Sequence, residues 1–176
     1  MYPKIIGLVG RSRVGKDTVA EYIIEQFNEY KIERLSSPLK KAVCNLYNFT
    51  PEQVENNQKE EIDKRYGFTP REAIVSLTNY MMSIMDVDHF TKLLYNKYDT
   101  GDTSNYIILP DIRYPHDIDE VKKRGGIVIK IKRLSTFSFH DHEYIVDSLK
   151  ADYYIDNDGT IDDLHNKVKE ILEKYK

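Results

Sequence analysis

Between residues 10 and 18 the chain reads Gly-Arg-Ser-Arg-Val-Gly-Lys-Asp-Thr: a glycine, four intervening residues, then a glycine followed at once by lysine. That spacing suits the wrapping of an anion by consecutive backbone N–H groups, because glycine takes positive φ and lets the main chain approach where a Cβ would intrude. In this pattern Gly10, Ser12, Arg13, Val14 and Gly15 form the cradle, and Lys16 reaches the β- and γ-phosphates of a nucleotide. A helix opening directly behind adds about half a positive charge aimed at the same anion. The position after the lysine is ordinarily Ser or Thr, whose hydroxyl goes to Mg²⁺; here it is Asp17, followed by Thr18. A carboxylate is a hard oxygen donor, so Asp17 can face Mg²⁺ directly or through water while Thr18 bonds a phosphate oxygen. The plainer alternatives are a glycine turn without a ligand and, for Asp17, a first-turn carboxylate that favours the helix electrostatically.

Lys outnumbers Arg by 18 to 8, which makes the placing of each arginine informative. Arginine is the better bidentate partner for phosphate. Arg11 and Arg13 fall in the loop, Arg71 at a predicted helix start, and Arg113 and Arg133 just past apolar stretches. Asp111 directly follows one of those stretches, where it can hold Mg²⁺ through water or orient Arg113; the alternative is a helix N-cap ahead of Tyr114. His140, His142 and Glu143 lack a cysteine partner and read as solvated loop residues rather than a zinc site. Asn96-Lys97-Tyr98-Asp99 matches a guanine-binding pattern, but it ends a helical segment instead of following a strand.

The elements that must position these residues can be read from periodicity. Lys4 to Val9 is a short apolar run rich in β-branched residues and predicts a buried parallel strand ending at the loop. Apolar residues from Val19 to Phe27 recur at helical spacing and predict a helix over about 15–29. Residues 32–36 predict a second short strand, and Pro38 suits a first helical turn. Thr50-Pro51-Glu52-Gln53 and Thr69-Pro70-Arg71-Glu72 both look like capped helix starts, and no strand is evident from 50 to about 98. Strands are predicted again at 106–109, 126–131 and 153–155. Helices are predicted over about 115–124, 142–149 and 160–175. The fold class is therefore α/β, a three-layer α/β/α sandwich of about five parallel strands, with ligands at the carboxyl ends of the strands. One domain over 1–176 is expected, with a helical insertion over about 50–100 and a lid over about 134–145.

The 176 residues carry 26 basic and 29 acidic side chains, a net charge of −3 and a pI near 6.0. A dedicated nucleic-acid binder normally shows a basic excess, so no nucleic-acid partner is expected. Apolar residues make up 40%, too many for a disordered chain. No uncharged apolar run approaches the roughly 18 residues that cross a bilayer, and no membrane partner is expected. Cys44 is the single cysteine, which excludes an intramolecular disulfide, and the N-terminus lacks the features of a secretory signal. A cytoplasmic location is the expectation, with a homodimer left open.

Gly15 to Thr18, Pro38 to Lys40, Thr69 to Arg71, Asp111 to Arg113, Arg133, and Asn157 to Gly159 occur in an order that resembles the deoxynucleoside monophosphate kinases of phages and large DNA viruses. The resemblance covers most of the chain. It implies a P-loop kinase that uses ATP with Mg²⁺ and a deoxynucleoside monophosphate as partners, in the host cytoplasm if viral. It also implies site residues. Lys16, Asp111, Arg113 and Arg133 would be catalytic, and Asn157 and Gly159 would join the loop in binding ATP. Lys40, Arg71 and Arg113 would bind the acceptor, with Asp17 and Asp111 near the metal. Two departures stand out: Ile74 to Asn79 replaces a Leu-Gln-x-x-Gly-Thr segment, and His140-Asp141-His142-Glu143 lacks the serine of a His-x-Ser-Glu segment. Animal-type phosphomevalonate kinase shares the Gly-Lys-Asp loop and dephospho-coenzyme A kinase the late turn, so the acceptor distinguishes the readings. A nucleotide-triggered switch without turnover is the further alternative.

Overall fold

The first strand, β1 (Ile5–Val9), is buried along its whole length, as expected for a central parallel strand with a helix layer on each face. The structure is a computed structural model and describes residues 2–55, 57–99, 106–134 and 143–175. After β1 come α1 (Lys16–Gln26), β2 (Tyr30–Ile32), α2 (Ser37–Tyr47), α3 (Pro51–Glu55), a short 3-10 turn (Asn57–Glu60), α4 (Pro70–Ile84) and α5 (His89–Asp99). The chain then continues through β3 (Tyr106–Ile112), α6 (Pro115–Lys123), β4 (Ile127–Lys132), α7 (Glu143–Ser148), β5 (Tyr153–Asp156) and α8 (Ile161–Glu173). The strands form one sheet in the order β2-β3-β1-β4-β5, with every neighbouring pair parallel.

Two compact units emerge, Met1–Arg34 with Tyr95–Lys176, and Leu35–Leu94. In the first unit, alternate strand residues divide between two helix layers. Ile6, Leu8, Ile129 and Ile155 pack with Val19, Ala20 and Ile23 of α1 and with Leu164 and Val168 of α8. On the opposite face, a Cβ added to Gly7 would lie 3.2–3.5 Å from side-chain atoms of Ile112, Val121 of α6 and Val128. Each fully buried Ile or Leu contributes about 1.5–3 kcal/mol, so this double-sided core dominates the unit's stability. Beneath it, buried Lys130 sends its ammonium to the carbonyls of Asp147 and Leu149 at 2.6 and 2.8 Å, securing the end of α7.

The second unit is helical around Val43, Phe49, Val54 and Ala73. Both Thr-Pro starts carry reciprocal caps. Gln53 N donates to the Thr50 hydroxyl while Thr50 N donates to Gln53 Oε1, and Thr69 and Glu72 do the same at α4.

Strand β2 departs from the sequence reading, which placed it at 32–36. It occupies Tyr30–Ile32 because Tyr30 is the buried anchor, its ring 5.2 Å from that of Tyr106 and its hydroxyl donating to Pro3 O. Among the described residues no helix is long and apolar enough to cross a membrane.

Candidate nucleotide site

The loop between β1 and α1 is shaped by contacts that leave no room for other residues. A Cβ on Gly10 would lie 2.4 Å from the carbonyl oxygen of Ile131, so the loop leaves the sheet pressed against β4. Arg13 has φ +63° and Gly15 has φ +104°, and such left-handed positions turn successive N–H groups into a concave anion nest. Val14 between them is buried and plugs the loop into the core. Gly15 caps α1 without a side-chain hydrogen bond, and the N-terminus of α1 faces the loop as a place that favours an anion. The Lys16 ammonium donates to Gly10 O at 2.8 Å and Arg11 O at 2.6 Å, which holds the cation across the loop.

From the far side, Asn157 Nδ2 donates to Val14 O at 2.8 Å, and a Cβ on Gly15 would come within 2.7 Å of that same nitrogen. Asn157 thus secures the loop from the end of β5. Beside it opens a cavity of about 390 Å³, within the size range of small-ligand sites. Arg13, Lys16, Asp17 and Thr18 line it on the loop side; Arg133, Asn157 and Gly159 line it from the ends of β4 and β5. Thr160, Ile161 and Leu164 complete the wall. The sequence reading placed those last three only in a predicted helix over about 160–175, and the packing of α8 against the loop brings them here. Leu134 N donates to Asp158 Oδ1 at 2.8 Å, tying the turn after β5 to the residue following Arg133.

The other flank of the loop is formed by β3 and β2. Gly7 pairs with Leu109 but Val9 pairs with Ile112, so β3 carries one extra residue, and Pro110 within that stretch has no N–H to give the ladder. The bulge delivers half-buried Asp111 to the strand end next to the loop. Arg113 follows and is exposed. The turn into α6 is held by Asp117, whose Oδ2 accepts from Arg113 N at 3.1 Å and Tyr114 N at 3.0 Å. Asp117 therefore performs the capping that the sequence reading offered as the alternative role of Asp111.

Two ion pairs were not legible in the sequence. Arg34, just past β2, reaches Asp17 Oδ1 at 2.6 Å. Arg11 forms a fork on Asp147 of α7, its Nε at 3.1 and 3.2 Å from the two carboxylate oxygens. The Arg11 guanidinium holds the Asp147 carboxyl below the usual carboxylate range, while burial pushes the Lys130 ammonium down. In the second unit, Lys40 pairs with Glu55 and Arg71 with Glu60, both at 2.5 Å. Lys97 of the guanine-like pattern lies in α5 and pairs with Glu33 at 2.9 Å. His140, His142, the Glu143 side chain and most of the 134–145 lid fall outside the described residues. Among the described residues no group of three or more His, Cys, Asp or Glu is arranged to hold a metal ion.

The family model for deoxynucleotide monophosphate kinases matches residues 4–85 and 75–168. A protein of Acanthamoeba polyphaga mimivirus, named as a candidate deoxynucleotide monophosphate kinase, is 29% identical over 181 residues, 93% of each chain. Among solved structures, the chain is similar in fold to thymidylate kinase from Candida albicans, with TM-score 0.52, 14% identity, and coverage of 99% of this chain and 92% of that one. It is equally similar to dephospho-CoA kinase from Campylobacter jejuni, with TM-score 0.52, 14% identity, and coverage of 97% and 96%. At such identities the likeness carries the fold alone.

Proposed function

Because the chain belongs to the deoxynucleotide monophosphate kinase family, we propose that it transfers the γ-phosphoryl group of ATP to the 5′-phosphate of a deoxynucleoside monophosphate, giving ADP and the deoxynucleoside diphosphate. The observation that carries this reading is the cavity joining the Lys16 loop to Arg133, Asn157 and Gly159. It offers a phosphate cradle at one end and a partly apolar wall, Ile161 and Leu164, at the other, the complement of a nucleotide.

In this reading the loop N–H groups and the α1 N-terminus hold the ATP phosphates, with Lys16 on the β- and γ-oxygens and Thr18 on a further oxygen. Gly10, Ser12, Arg13, Val14 and Gly15 supply the cradle, and Asn157 keeps it closed. Arg133 and Arg113 bring positive charge to the group in flight, where electrostatic stabilisation matters most. Lys40 and Arg71 belong to the acceptor. The residues suit Mg²⁺, which takes one or two carboxylates together with substrate phosphates and waters, and Asp17 and Asp111 are hard oxygen donors at the same sheet edge. Bound with ATP, the ion would be held by one or both of these carboxylates and would offset negative charge on the phosphates. No strong general base is required, because the acceptor phosphate, with a second pKa of about 6, is mostly dianionic at pH 7.

The test is ADP release from ATP and Mg²⁺ with a panel of deoxy- and ribonucleoside monophosphates, phosphomevalonate and dephospho-coenzyme A. Acceleration by one or more deoxynucleotides is the expected result. A rate unmoved by any nucleotide would overturn the reading.

A further inference from the structure

Asp17 stands where a hydroxyl residue is usual, and its carboxylate receives Arg34 Nη2 at 2.6 Å. An exposed ion pair of this kind is worth only about 0–1 kcal/mol, so stability does not account for it; its position is the informative property. Strand β2 ends at Ile32, and the ladder runs one residue further as Glu33 N donates to Ile108 O at 2.9 Å. Arg34 therefore leaves the sheet at the same edge as Asp111 and Arg113, and its side chain runs back across that edge to the first turn of α1.

The strand order makes this edge two-sided. The cavity lies on the β4 and β5 flank of the loop, whereas Arg34 reaches Asp17 from the β2 and β3 flank. Arg34, Asp111 and Arg113 thus lie at strand ends on the flank of the loop opposite β4 and β5, with Asp17 shared between that flank and the cavity wall. The Arg34 side chain is 31% exposed and that of Asp17 is 64%, so the guanidinium is the more enclosed partner and the carboxylate reaches over to it. A charge-assisted bond to one carboxylate oxygen fixes the direction of a five-donor planar group, the kind of group that reads a phosphate bidentately.

We propose that Arg34 binds the phosphate of the acceptor and that Asp17 is its positioning residue, an assignment that rests on the kinase reading above. Asp17 then serves a neighbouring side chain, and Asp111 is the carboxylate of this edge that faces the metal.

The test uses the 176-residue protein and its variants R34A, R34K, D17N and R34A/D17N. Two measurements are made: calorimetric binding of dAMP, dCMP, dGMP and dTMP without ATP, and steady-state kinetics. For R34A the acceptor Kd and KM should rise about 10- to 100-fold, as for a lost hydrogen bond to a charged group, with ATP binding changed less than about twofold. R34K should recover only part of the loss, because an ammonium lacks the fork. D17N should shift the same constants by a smaller factor, and R34A/D17N should be no worse than R34A alone. ATP binding by D17N should respond to Mg²⁺ as in the wild type. If D17N weakened ATP binding only when Mg²⁺ is present, while R34A left monophosphate binding intact, Asp17 would be a metal ligand and the assignment would be wrong. An R34A protein that binds and turns over a monophosphate as well as the wild type does would refute the assignment and leave the kinase reading standing. A wild type that neither binds nor phosphorylates any of the four would remove both.

Discussion

Replacing Gly15 by alanine tests whether the phosphate loop is closed from β5. The residue sits at φ +104°, outside the region an alanine adopts without strain, which costs about 1–3 kcal/mol. The new Cβ would also lie 2.7 Å from Asn157 Nδ2 and 3.4 Å from Leu164 Cδ2. Because Asn157 is tied to Val14 O, it can yield only by giving up that buried hydrogen bond, a further loss of about 1 kcal/mol. The lower entropy of the unfolded alanine chain returns about 0.4–1 kcal/mol, leaving a net loss of about 1–3.5 kcal/mol. For a chain of this size that lowers Tm by about 2–14 °C. Gly125 is the control: its φ is +72°, yet an added Cβ there meets nothing within 4 Å, so Gly125→Ala should cost about 1 kcal/mol or less. Scanning calorimetry gives both values, and titration with ATP should show weaker binding for Gly15→Ala alone. Removing the obstructing amide in Gly15→Ala/Asn157→Ala should cost less than the sum of the single changes by about 1 kcal/mol. A Gly15→Ala melting point within about 2 °C of wild type, or strict additivity in the double variant, would refute the argument.

Three further outcomes are expected. Lys16→Ala should leave a folded protein with turnover reduced at least about 100-fold, since one preorganised charge contact is worth a few kcal/mol in the transition state; circular dichroism alongside ADP release checks both halves. Arg71→Ala should raise the acceptor KM more than it lowers kcat, whereas Arg133→Ala should mainly lower kcat, and steady-state kinetics showing the reverse pattern would break the site map. Burial, with smaller contributions from Tyr106, Glu29 and Tyr2, pushes the Tyr30 hydroxyl well above its ordinary value of 10.0. Folding therefore keeps a proton that the unfolded chain releases, and this stabilisation, complete below about pH 10, declines as pH rises through the folded-state value. Tyr30→Phe should be less stable at pH 7 by about 1 kcal/mol, having lost the bond to Pro3 O. It should also show a flatter decline above pH 10 in guanidinium denaturation.

What the sequence reveals divides along the range of the interaction. Strands β1 and β4 and the loop between β1 and α1 are legible because an apolar run and a glycine spacing are local signals. The helix starts at Pro51, Pro70 and Ile161 are legible because each cap is made within four residues. Strand β2 is misplaced because nothing in the polar stretch around Tyr30 alternates; rings from Phe27 and Tyr106 make it a strand. That displacement hides Arg34, which falls inside the expected strand instead of past its end. Asp147 and Asp117 are likewise invisible, since one serves a residue 136 positions away and the other stabilises a turn whose existence depends on β3. The arginines read as candidates, Arg13, Arg113 and Arg133, do lie at the sheet edge, but their partners are properties of the folded chain.

The bond from Asn157 to Val14 also orders events in time. The amide that closes the loop lies 143 residues beyond Val14, and the neighbours of β1 in the sheet start only at residues 106 and 127. At about 5–20 residues per second, translation leaves the loop unfinished for roughly 7–30 s after its own residues are made. Through that interval the nascent chain carries the complete Gly-Lys motif and none of the enclosure that gives it affinity. In the kinase reading, ATP is thus a ligand only of a chain synthesised past Asn157, and its binding energy acts after the loop is closed, without stabilising fragments released before that point.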